Sequence, residues 1–145
     1  MKHARQTIRE AVATTLAAIT GVTIYTSRAY PRLNPPVISV YGNDEESSSE
    51  NDSMPATIRY SRRLALNIEI AVSAATEYDN LVDNYAAQVE ALMAADLTLD
   101  GTATDSVLRR TTLKLNGEME KAVAIATLTY EVWYRTLGTD PENAL

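Results

Sequence analysis

Thr57–Val72 reads TIRYSRRLALNIEIAV, and its period decides the fold. Taken two residues at a time, one side carries Ile58, Tyr60, Leu64, Leu66, Ile68, Ile70 and Val72. The other carries Arg59, Ser61, Arg63, Asn67 and Glu69. Alternation of this length predicts a strand with one face on a core and the other facing water or a partner. Arg62 alone interrupts the apolar side, near the start, where its long stem is expected to reach out to water.

The chain around this strand has 145 residues, enough to bury about 70% of its unfolded surface in a single domain. A 46% hydrophobic and 22% charged composition is that of an ordinary globular protein. With no cysteine, disulfides and thiolate metal sites are excluded. The opening MKHARQTIREAV is charged where a signal peptide needs an apolar run, and no stretch approaches the roughly 20 apolar residues of a membrane span. A non-secreted chain without membrane contact is expected. The net charge of −6 argues against a broad nucleic-acid surface. Eight Tyr, one Trp and no Phe leave every aromatic with a polar handle, which suits surfaces buried against other protein.

Upstream of the strand, Ile8, Val12, Leu16 and Ile19 recur at helical spacing and predict a helix over residues 2–19, ended by Gly21. Val22–Arg28 is a β-rich run. Three prolines in Tyr30–Pro36 rule out a central strand there, and Pro36–Tyr41 is a short one. Residues 42–56 hold five acids, four serines and no base, and are expected to form a mobile acidic loop containing Asp44, Glu45, Glu46, Glu50 and Asp52.

Downstream, Thr76 and Asp79 resemble a capping box ahead of a helix over 76–94, with Tyr78, Leu81, Val82, Tyr85, Val89, Leu92 and Met93 as its buried stripe. From Glu77 to Asp105 there are seven acids and no base. Leu97–Gly101 is expected to extend into a turn at Asp100-Gly101. Val107–Leu115 is a strand whose shared face is Val107, Thr111, Leu113 and Leu115. Asn116-Gly117 opens a hairpin into a last strand over 122–136, with Trp133 on its polar side. Residues 139–145 are expected to be a flexible tail after a single domain over 1–138. Strand-rich order with two helices predicts an α+β fold, a mostly antiparallel mixed sheet with both helices packed on one face.

The search for chemistry returns little. His3 is the only histidine and sits next to the initiator methionine, a poor place for a relay that needs a firmly held imidazole. The five glycines fall singly, so there is no phosphate-cradling loop. Glu69 and Glu131 are the carboxylates best placed for acid–base work, but nearby Arg63 and Arg135 point to ion pairs or subunit contacts instead. No catalytic residue, cofactor or metal is expected. The loop acids could hold a divalent cation loosely, and Arg59, Arg62 and Arg63 with Tyr60 form a weak basic–aromatic patch. Acidic and basic elements in one chain are what a head-to-tail ring requires, because each subunit presents two complementary surfaces.

The ordered features have a family likeness. MKHARQTIREAV, then a glycine and a short strand, PPVISVY, the acidic stretch, RRLALNIEI, EYDNLVDNYAAQVE and the closing ATLTYEVWYRT resemble a bacteriophage tail terminator, the minor tail protein U type of lambda-like long-tailed phages, over about residues 2–136. The serine-rich length of the acidic stretch and the C-terminal tail depart from that pattern. The resemblance implies a tail-tube-like α+β subunit that forms a homo-oligomer, a six-membered ring. Such a ring caps the tail-tube protein, ends tail polymerisation and offers a surface to the head–tail connector, while DNA passes through the lumen without specific binding. It implies a virion component at the head-proximal end of the tail, assembled in the host cytoplasm, that catalyses nothing. Arg59, Arg62, Arg63, Glu69, Glu131, Trp133 and Arg135 are then expected at subunit or tube contacts. Alternatives are another ring component of the tail tract, a small carboxylate- or metal-dependent enzyme using Glu69, Glu131 and the loop acids, and a nucleic-acid module centred on the three arginines.

Overall fold

The long alternating strand occupies the middle of the sheet, and the rest of the chain is layered on it. The computed structural model describes residues 1–28, 35–50, 58–73, 76–116 and 123–145. In chain order these form α1 (Ala4–Leu16), β1 (Thr23–Tyr25), β2 (Val37–Ser49), β3 (Arg59–Ser73), α2 (Tyr78–Ala95), β4 (Asp105–Asn116), β5 (Val123–Leu137) and β6 (Asp140–Ala144). The sheet runs β1-β2-β3-β5-β4, with β6 beside the end of β5. β1 pairs parallel to β2, and every other pairing is antiparallel. The fold is α+β, as the periodicity predicts.

β3 and β5 pair along their full length, from Arg59↔Leu137 to Ser73↔Val123. Their apolar sides, Leu64, Leu66, Ile68, Ile70 and Val72 with Ala126, Leu128, Tyr130, Val132 and Tyr134, form one buried cluster with both helices. α1 contributes Ala4, Ile8, Val12 and Leu16, and α2 contributes Val82, Ala86, Val89 and Met93. Each fully buried Leu or Ile stabilises the fold by about 1.5–3 kcal/mol, so a charge at Ile68, which has no exposed surface, would break the layer.

Several expectations are corrected. Gly42–Ser49 is the second half of β2, paired with β3 through a bulge between Gly42 and Glu45, and is not a loop. Its acids Glu45 and Glu46 lie next to Arg62 and Arg63 on β3, and these cross-strand charge pairs take the place of an apolar pattern. Asp52 and the rest of the expected loop to residue 56 lie outside the described residues, as does the turn opened by Gly117. The supposed tail is β6, held where Leu145 N–H donates to the Arg135 carbonyl at 2.8 Å.

Helix α2 does not use Thr76 as a capping box. Its N-cap is Glu77 in the left-handed region, without a side-chain cap bond. Leu97–Gly101 is a turn rather than an extension, with Leu99 at φ 52° and Asp100 at φ 58°, and Leu99 is fully buried. In β4 the register shifts between Leu108 and Arg110, and this flips the face. Leu108 packs on the core and Val107 lies on the opposite side, while Leu113 and Leu115 project on the helix side at 63% and 54% exposure. A single inserted residue reverses the phase of everything beyond it.

Candidate interaction surface

The side of the sheet away from the helices is polar and charged. β3 places Arg59, Ser61, Arg63, Asn67 and Glu69 there, and β5 places Thr127, Thr129, Glu131, Trp133 and Arg135. Both sets follow from strict alternation, since the intervening residues of each strand face the helix side.

Arg63 is the centre of a chain of charges. It pairs with Glu46 of β2 and, at 3.7 Å, with Glu131 of β5. Glu131 also accepts from Arg109 Nε at 2.8 Å, and the Arg109 guanidinium lies 5.3 Å from the centre of the Trp133 ring. Three Arg–Glu contacts and a cation–π contact thus link four strands. The shared hollow, about 310 Å³, is lined by Asp44, Glu46, Arg63, Ala65, Arg109 and Glu131 among others. At the far end Arg135 grips Glu50 with two bonds of 2.5 and 2.7 Å, which holds the Glu50 carboxyl below its ordinary range. Arg59 lies beside the same carboxylate.

Glu69 stands apart. It accepts from the Tyr41 hydroxyl at 2.8 Å, and burial followed by that carboxylate pushes the Tyr41 phenol up. Because Glu131 pairs with Ala65, four residues along β3 from Glu69, the two carboxylates are about 13 Å apart in register. That separation is too large for two carboxyl groups to act on one bond. A second hollow, about 590 Å³, lies beside Glu69, with Tyr41, Asn67, Thr127 and Thr129 and the basic row Arg109, Arg110 and Lys114 along β4. Among the described residues no group of three or more His, Cys, Asp or Glu side chains could hold a metal ion.

Two expected surface residues are on the helix side. Arg62 is largely withdrawn from water: its side chain is 13% exposed and its Nη1 lies 3.4 Å from Glu45, whose side chain is 8% exposed. Glu45 also takes Arg5 at 2.7 Å and the Tyr134 hydroxyl, and Arg62 Nε donates to Thr136 at 3.0 Å. Burial and then the Glu45 carboxylate push the Tyr134 phenol far up. This cluster ties α1 to β2, β3 and β5. His3 belongs to it as the N-cap of α1, its Nδ1 accepting from the Arg5 backbone at 3.1 Å.

Arg109, Arg110, Lys114 and Tyr41 line this face without a signal in the sequence that assigns them to it. The β4 bases are visible in VLRRTTLKL, but their face depends on the bulge. No helix of the described chain is long and apolar enough to cross a membrane.

No protein-family model matches the chain, and no curated protein matches it. Among solved structures it is similar to a chain of the virion of a native gene transfer agent (GTA) particle. The TM-score is 0.43 and the identity 14%, over 86% of this chain and 93% of that one. Likeness at that level decides neither family nor function.

Proposed function

We propose that this chain is a virion structural subunit, and specifically a tail terminator whose ring caps the tail tube, stops its polymerisation and presents a surface to the head connector. The observation that carries the reading is the order of elements. A charged helix, a short strand, a proline-led strand running into acids, a long amphipathic strand, a helix and a final strand pair follow one another as in the family that the sequence resembles. The charged sheet face supports it: Arg63, Glu131 and Arg135 are half-exposed or partly exposed and laid out along rigid strands, which suits recognition of another protein more than enclosure of a small substrate. The acidic chain also suits a ring around a DNA passage, since like charge discourages trapping of phosphates.

Electron microscopy of negatively stained protein, alone and mixed with tube protein, tests the reading. Single rings that sit on tube ends and shorten the tubes are expected. Long filaments of this protein alone would instead make it a tube subunit, and tubes of unchanged length would remove the capping role.

A further inference from the structure

The outer half of β2 and the edge strand β4 carry opposite charge on the two sides of the sheet. On one side, β1 pairs with β2 only from Thr23↔Val37 to Tyr25↔Ser39. Beyond that, Tyr41–Ser49 has β3 on one flank and, among the described residues, no strand on the other. This open stretch carries Asp44 and Glu46, both exposed, with the Glu46 side chain at 74%. On the other side β4 is the last strand, with β5 on one flank only. Its exposed bases are Arg109, Arg110 and Lys114. The Arg110 and Lys114 side chains form no ion pair or hydrogen bond among the described residues, whereas Arg109 is held by Glu131.

We propose that β4 of one copy pairs edge to edge with the Tyr41–Ser49 half of β2 of a second copy, continuing the sheet from subunit to subunit. This deepens the ring reading above and rests on it. Direction, length and charge agree. β2 and β4 run in opposite directions through the three antiparallel pairings between them, so a repeated subunit sets them antiparallel. The open part of β2 spans about 30 Å, and the twelve residues of β4 cover it. Arg110 and Lys114 lie on the same sheet face as Glu46, because Arg110 and Lys114 oppose Thr129 and Ile125 while Glu46 opposes Arg63. When each copy repeats the same orientation, bases meet acids on that face.

The same charges refuse the alternative pairing. Two β4 edges brought together would set Arg110 and Lys114 against their own copies, the usual way in which basic edge strands avoid self-association. The contact is therefore heterologous, the kind that closes into rings. A strand laid along β4 also shields Leu113 and Leu115, the two largest exposures of any leucine inside a strand.

A charge swap tests this. One variant carries Arg110→Glu with Lys114→Glu, and the other carries Asp44→Lys with Glu46→Lys. Both are compared with the native chain by native mass spectrometry across protein concentration, with melting curves to verify that each folds. Each variant alone is expected to assemble at least about a hundredfold more weakly, since like charges then face each other. An equal mixture is expected to regain rings of even number, because each variant's altered edge matches the other's. Native rings that tolerate either variant, or folded variants that do not recover on mixing, overturn the edge pairing and leave the ring standing. A native chain that forms no ring at any concentration, with or without tube protein, overturns both.

Discussion

Replacing Glu45 by Gln isolates the most consequential charge in the molecule. The carboxylate side chain is 8% exposed and faces Arg62, 13% exposed, and Arg5, 41% exposed. Gln preserves the volume and an acceptor for the Tyr134 hydroxyl but leaves the Arg62 guanidinium nearly buried without a counter-charge. Breaking a buried ion pair from one side costs about 3–5 kcal/mol. Partial exposure of Arg5 lets water compensate that charge, so about 3 kcal/mol is expected here. For a chain of this size that lowers the melting midpoint by about 10 °C, and against a total of about 5–15 kcal/mol it is a large fraction. Urea unfolding followed by far-ultraviolet circular dichroism measures it. Adding Arg62→Met should return part of the loss, because the stranded charge is then gone, and the double-mutant cycle should show that coupling. A loss below about 1 kcal/mol for Glu45→Gln alone, with no coupling to Arg62, would refute the buried network as an organiser of α1.

Two further outcomes follow from titrating groups. His3 is held below its ordinary 6.5 by burial first, then by Arg5 and Arg62, and its cap bond needs the neutral ring. Its contribution is therefore complete above about pH 6.5 and fades as the pH falls through the lowered value; urea midpoints between pH 7.5 and 5 should drop, and His3→Asn, a cap that does not titrate there, should flatten that slope. Tyr130 is pushed up to about 12 by burial first and Glu90 second. It favours the fold below about pH 10 and loses that contribution as the pH rises toward 12, so a phenolate absorbance titration should show a late step that Tyr130→Phe removes.

The core was readable in the sequence because burial writes itself as a period. Leu64, Leu66, Ile68 and Ile70 alternate along β3, and Ile8, Val12 and Leu16 recur along α1. These intervals survive without knowledge of any neighbour. The polar face was readable for the same reason, and Arg63, Glu131 and Arg135 lie where alternation puts them. Acids in Gly42–Ser49 gave no such period. Their order comes from single charges matched across strands, and a one-dimensional pattern does not record its partner.

Sequence by itself thus determined the α+β class, the central strand and its two faces, since those depend on local period and on the free energy of apolar burial. Only the tertiary structure decided that GNDEESSS is a strand, that Glu45 and Arg62 are buried together, and that the bulge at Arg109 turns the β4 bases to the face shared with Glu46. Register across strands is a long-range property. One inserted residue or one distant counter-charge sets it, and neither leaves a mark in the local composition.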